Sequence, residues 1–183
     1  MSATRAASMF IATLCLASPA HAQMTVTVDR HVSVAEVGAA GLIQGPRESD
    51  RDGSTTTDTD LGIAALGALY PTEIVGVAGE FAAFASSLHH GRTALAGVRL
   101  RTPLITSGTT HFRLFGQVLS GPRWTDLTAA CRRVLQPGVG AENYLRNGVT
   151  VHVQYDYTFA PGKERDLATG RFLVGFAVPV GSR

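Results

Sequence analysis

Three acids, Glu80, Glu142 and Asp156, and three arginines, Arg99, Arg101 and Arg113, are the residues of this chain whose chemistry most demands partners. Gln117 and His152 can join them. Carboxylates beside a histidine can do acid–base work, and arginines can hold carboxylates or phosphates. The same set can equally be a buried network in which charges satisfy one another. Other spacings invite a test. His31-Val32-Ser33 puts a base and a nucleophile on one face of a strand, as an ester-cleaving site needs. His89-His90 could hold a metal, although adjacent histidines on a short loop are more often solvated. Arg132-Arg133 resembles an anion patch, but strand neighbours face opposite sides and cannot both line one site. The chain has no nucleophile elbow, zinc signature, phosphate loop or dinucleotide fingerprint, so no metal or cofactor is expected.

The elements that must position these residues read as strands throughout. The stretch "GVTVHVQYDYTF" alternates almost perfectly: Val149, Val151, Val153, Tyr155, Tyr157 and Phe159 on one face, His152, Gln154 and Asp156 on the other. The spacing predicts eight strands over about 31–43, 58–70, 73–86, 92–101, 110–121, 131–142, 148–159 and 169–180. Each is longer than the usual soluble strand and long enough to cross hydrocarbon when tilted. Strand 58–70 is apolar on both faces, which leaves its orientation open. Long polar links, Gln44–Thr57, Gly121–Ala130 and Ala160–Ala168, alternate with shorter ones, as in outer-membrane barrels; the short link Ser87–Gly91 is the exception on the long-loop side. No linker or repeat divides the chain.

Alternation then gathers Glu80, Glu142, Asp156, Arg99, Arg101, Arg113, Gln117 and His152 on a single face, with Gln136. In an eight-stranded barrel that face is the interior, just wide enough for side chains to fill it. The expected role is a structural plug, with Arg99 the expected partner of Asp156 and His152. Glycines at 97, 138, 140 and 175 are expected to make room for the arginines.

The N-terminus directs the chain out of the cytoplasm. Arg5, an apolar run from Met9 to Ala17 and Ala20-His21-Ala22 form a secretory signal, with cleavage expected after Ala22. Domains are therefore expected as 1–22, signal peptide, and 23–183, one β-domain. Losing residues 1–22 leaves 15 basic against 14 acidic residues, which gives no electrostatic case for nucleic acid. Cys15 leaves with the signal and Cys131 remains alone, so no intramolecular disulfide is possible.

Taken in order, Gly76-Val77-Ala78-Gly79-Glu80, Leu95-Ala96-Gly97-Val98-Arg99, "HFRLFGQVLSGPRW", "LQPGVGAE", "VHVQYDY" and "RFLVGFAV" resemble the small outer-membrane β-barrel proteins of Gram-negative bacteria. The resemblance runs from Gly76 to Val178. It implies an all-β, eight-stranded, antiparallel up-and-down transmembrane barrel of the OmpA or OmpX type, with Glu80, Arg99 and Asp156 at matching positions. Such barrels usually end on an aromatic residue, whereas this chain ends Val180-Gly181-Ser182-Arg183, with Pro179 just before. The expectation is a non-enzymatic, monomeric outer-membrane protein with a filled lumen. Its partners would be outer-membrane lipid, the barrel assembly machinery and an unidentified extracellular ligand of the 44–57 loop. Two rivals stand beside it. One is a soluble periplasmic barrel that binds an apolar ligand, as lipocalins do, with the alternation reversed. The other is a barrel enzyme that modifies lipid A, although His31 lies at the periplasmic end, opposite that substrate.

Overall fold

The computed structural model describes residues 25–26, 33–45, 59–85, 90–125, 131–145, 148–159 and 169–182. The expected signal peptide, His31, the side chain of Ser33, His89, the side chain of His90 and most of the 44–57 loop lie outside what is described. Among the described residues the chain forms β1 Thr25–Val26, β2 Ser33–Gln44, β3 Asp60–Leu69, β4 Val75–Ala85, β5 His90–Arg101, β6 Ile105–Ser107, β7 Thr110–Thr125, β8 Cys131–Tyr144, β9 Thr150–Thr158 and β10 Thr169–Ser182.

Each long strand pairs antiparallel with the next, and β10 returns to pair with β2 from Arg171↔Gln44 to Ser182↔Ser33. The sheet is thus a closed, eight-stranded up-and-down barrel. Two short strands extend it at one mouth: β6 folds back on the start of β7, and β1 adds to β6. The sequence pattern did not signal either, because two or three residues carry no period.

The register sets the geometry. Ala141 pairs with Val153, Val153 with Val174, Val174 with Gly41, Gly41 with Ile63 and Ile63 with Ala83. Ala83 pairs with Arg92, Arg92 with Trp124, and Trp124 with Cys131. The circuit returns to β8 displaced by ten residues. With the usual strand spacings, that shear means a tilt of about 40°.

β7 runs four residues past its expected end at Gly121. Pro122 has no N–H to donate to a ladder. The strand passes through it because the ladder to β5 skips two pairs at Ala94 and Leu95, resuming at Ala96↔Ser120. Pro122 still pairs with Arg133 on β8. Pro137 sits likewise in a gap of the β8–β9 pairing, between the Leu135↔Phe159 bridge and Gly138↔Asp156, and Pro179 lies beyond the last β9–β10 pair, Ala177↔Thr150.

Alternation resolves β3 as well: Leu61, Ile63 and Leu69 are exposed, while Ala64 and Ala68 are buried. Facing inward, β2 to β4 present Ala40, Ala64, Ala68, Ala78 and Ala82, all buried. These small residues leave room for long side chains from the opposite wall. Two apolar clusters complete the interior, one around Leu42, Phe84 and Leu173, the other around Tyr70, Leu95, Leu119 and Val134.

Inward Gly97 lies so close to β7 that a Cβ there would overlap the Val118 carbonyl and the Leu119 backbone. Gly97→Leu is therefore expected to destabilise the folded barrel by at least about 3 kcal/mol. Urea unfolding in detergent micelles, against Ala96→Leu on the outward face, measures it.

Candidate functional site in the barrel interior

Most polar side chains on the inner wall are withdrawn from solvent. Glu36, Glu80, Glu142 and Asp156 and Arg99, Arg101, Arg113, Arg123 and Arg171 are all buried there. An unpaired charge at such a site would be strongly destabilising, so their arrangement is decided by pairing.

Two clusters form. In the first, Arg171 on β10 spans the interior to β4, donating from Nη1 and Nη2 to the two Glu80 carboxylate oxygens at 2.6 Å each. The same Nη2 also donates to Asp156 Oδ2 at 2.6 Å. Gln154 Nε2 donates to both Asp156 oxygens at 2.7 Å. One guanidinium thus bridges two carboxylates that would otherwise repel.

The second cluster lies toward the short-turn end. Arg99 donates from Nε and Nη2 to Gln117 Oε1 at 2.9 and 2.7 Å, and from Nη1 to Glu142 Oε1 at 3.2 Å. Tyr144 donates its hydroxyl to Glu142 Oε2 at 3.0 Å. Arg101 Nη1 donates to Glu36 Oε1 at 3.0 Å and its Nε to the Glu73 carbonyl at 2.9 Å. Its guanidinium carbon lies 3.4 Å from the centre of the Tyr70 ring, and Arg113 stands 5.5 Å over that of Tyr144. Tyr70 follows β3 outside the spanning strands. Burial, reinforced by Glu142, pushes its phenol pKa up to about 12, which keeps it protonated as a donor to Glu36 Oε2 at 3.5 Å.

His152 joins the clusters. Gln154 uses its amide to donate to Asp156, so its Oε1 must accept, and His152 Nε2 at 2.8 Å is the donor. That assigns the proton to Nε2 and turns Nδ1 toward Glu142 Oε1, 3.8 Å away. The ring also stacks on Phe115 with centroids 4.9 Å apart.

The structure thus brings Glu80, Arg99, Arg101, Arg113, Gln117, Glu142, His152 and Asp156 into one interior, but the pairing differs from expectation. Asp156 is held by Arg171, not Arg99, because Arg171 sits directly across from it in the β9–β10 register. Arg99 instead lies beside Gln117. The glycines also serve differently. A Cβ on Gly138 would strike the Asp156 carboxylate and one on Gly140 the Phe115 ring, while Gly97 and Gly175 yield to neighbouring backbone. None of the four makes its room chiefly for an arginine. Glu36, Tyr70 and Arg171 were missed as network members, although Arg171 alternates with outward Phe172 and shares its face with buried Leu173. Glu36 could have been found the same way, since it shares its face with buried Ala40 and Leu42.

Apolar residues face outward on the same strands: Ile63 is 71% exposed, Val139 62% and Phe176 59%. Chains of known structure share this architecture. The chain aligns with Neisserial surface protein A at TM-score 0.58 and 12% identity, over 80% of this chain and 99% of that one. It aligns with the outer membrane enzyme PagL at TM-score 0.53 and 7% identity, over 78% and 99%. Ail, the attachment invasion locus protein of Yersinia pestis, aligns at TM-score 0.47 and 14% identity over 80% and 98%. This is the fold of a small outer-membrane β-barrel. No protein-family model and no curated protein matches the chain in sequence. At these identities the likeness is one of fold, and the barrel interior must be read from its own residues.

Replacing Arg171 with Met strands Glu80 and Asp156 together without a cation, and is expected to cost about 3–5 kcal/mol. The triple change Arg171→Met, Glu80→Leu, Asp156→Leu removes all three charges and is expected to recover most of that loss. Urea unfolding of both variants in micelles reads the difference.

Proposed function

We propose that the chain is an integral outer-membrane barrel without catalytic activity, whose plugged interior is structural and whose long-loop end faces the outside. The single observation that carries this reading is inversion: charges inside, aliphatic and aromatic side chains outside. A barrel that stores an apolar ligand needs the reverse, with Val153 and Tyr155 inward; here they are 36% and 52% exposed. The height fits as well. From Leu114 to Trp124, both exposed on β7, ten residues at this tilt climb about 25 Å, the height of the apolar band of such barrels.

The interior supports a plug rather than a pore or an active site. Arg101, Arg171, Glu142, Gln154 and Leu119 are among the side chains almost wholly buried there. The acids and His152 are engaged with one another, so none is positioned to meet a substrate. This reading carries residues 1–22 as a signal peptide, residues 23–183 as the barrel domain and both barrel termini on the periplasmic side. It also makes outer-membrane lipid and the barrel assembly machinery the partners of a monomer. Outward Phe172 and Phe176, 44% and 59% exposed on the closing strand, are the aromatic candidates for an assembly signal.

Cell fractionation is expected to recover the protein with membranes, released only by detergent and migrating differently before and after boiling. Recovery in the soluble periplasm would overturn the reading. Val118→Arg, mid-way along the outward face of β7, is expected to destabilise insertion by about 2–4 kcal/mol, and Leu114→Arg near its end by about 1 kcal/mol or less. Equal effects at the two depths, in unfolding from lipid vesicles, would argue against a bilayer around the barrel.

A further inference from the structure

The outward surface carries a charge asymmetry that neither the plug nor the apolar band accounts for. Among the described residues, no carboxylate lies on the outward face of the eight long strands, and the charged side chains there are Arg92 on β5 and Arg133 on β8. Both are exposed, and both lie at the long-loop end. Between them β7 presents Trp124, 40% exposed and the sole tryptophan of the chain. Arg92 pairs with Trp124 in register, Trp124 pairs with Cys131, and Arg133 lies two residues along from Cys131 on the same face.

The shear brings these three together. Two strand steps from Arg92 to Cys131 climb about 6 Å at the barrel's tilt, and two residues down β8 descend about 5 Å, so Arg92 and Arg133 lie at nearly the same height. Their Cα atoms are about 12 Å apart by strand spacing, a gap that two long side chains can close on one group. Arg132, the sequence neighbour of Arg133, faces the other side of the wall, so the pairing arises across strands and not along one.

We propose that Arg92, Trp124 and Arg133 form a binding site for the phosphate of a membrane lipid headgroup in the outer leaflet. Two guanidinium groups with no facing carboxylate among the described residues match a phosphate, which each can engage through two donors. The indole suits the boundary where acyl chains meet headgroups, and its ring gives the lipid's upper chain a flat apolar contact. A lipid, not a free anion, is the occupant because the site opens sideways at the upper edge of the apolar band, where headgroups lie. The inference rests on the membrane reading above.

Trp124 fluorescence reports the site directly. Full-length protein in neutral detergent micelles is titrated with dihexanoyl phosphatidic acid, with dihexanoyl glycerol and with inorganic phosphate. A saturable change with the phosphatidic acid alone is expected, its midpoint raised at least about fivefold in Arg92→Gln/Arg133→Gln. Arg92→Lys/Arg133→Lys keeps the charge but loses the fork and is expected to fall between. Midpoints unchanged in both double variants overturn the site, and an equal response to inorganic phosphate overturns its assignment to lipid. If the wild-type protein fractionates with membranes and still gives these negative results, only this inference fails. If it is soluble, the membrane reading fails first.

Discussion

The β10–β2 seam is the constraint on which the rest of the structure depends. Every strand of a sheet surrounded by hydrocarbon must find partners on both sides, because lipid offers backbone amides and carbonyls nothing to bond. Closing the sheet removes both edges at once, but at eight strands and a shear of ten it also encloses a space too narrow for bulk water. The interior must then be filled by side chains. Which ones fill it follows from the period of the strand: apolar residues needed on the outside leave the alternate positions for everything else. The chain's acids and arginines lie on the inside for this reason, and it is a consequence of closure before it is a matter of chemistry.

Once inside, the charges must solve their own problem. Desolvation makes any one of them destabilising alone, and a tight pair returns about what its burial costs. The network is consequently weak evidence for stability but strong evidence for a particular geometry. Arg171 meets Glu80 three strands away only if β2 and β3 keep Ala40 and Ala64 between them. Asp156 meets Arg171 only in the observed β9–β10 register, and it also occupies the space that Gly138 leaves open. A slip of one residue would turn each of these charges toward lipid. The ion pairs thereby hold the register that the apolar band alone specifies loosely, since valines and alanines on neighbouring strands are nearly interchangeable.

The architecture was legible in the sequence because period two over ten or more residues leaves few alternatives. Strand positions came within a few residues, and the inward membership of Glu80, Arg99, Arg101, Arg113, Gln117, Glu142, His152 and Asp156 followed from parity alone. What parity cannot give is the partner across the lumen. That depends on shear, which accumulates a small offset at every strand and becomes visible only when the circuit closes. Arg99 was assigned to Asp156 for lack of it, although Arg171 stands beside that carboxylate. The passage of β7 through Pro122 has a related cause. A proline ends a strand only where the missing N–H was needed, and that depends on which neighbour is paired at that point. The fit of Gly138 to Asp156 and of Gly140 to Phe115 was illegible for the same reason, being a property of adjacent strands in register.

The same logic separates a structural interior from a catalytic one. An active site keeps at least one polar group incompletely satisfied and accessible, so that a substrate can complete it. His152 shows the opposite condition. Its Nε2 is committed to Gln154, its ring is stacked on Phe115, and its remaining nitrogen faces Glu142, which already accepts from Arg99 and Tyr144. Its free nitrogen is thus turned toward a carboxylate within a buried network whose donors lead through Gln154 to Asp156 and Arg171. The accessible charges of the described barrel are on its outside instead, at Arg92 and Arg133, where no internal partner faces them. Among the described residues, these are the charges that the outer wall presents at the boundary between the apolar band and water.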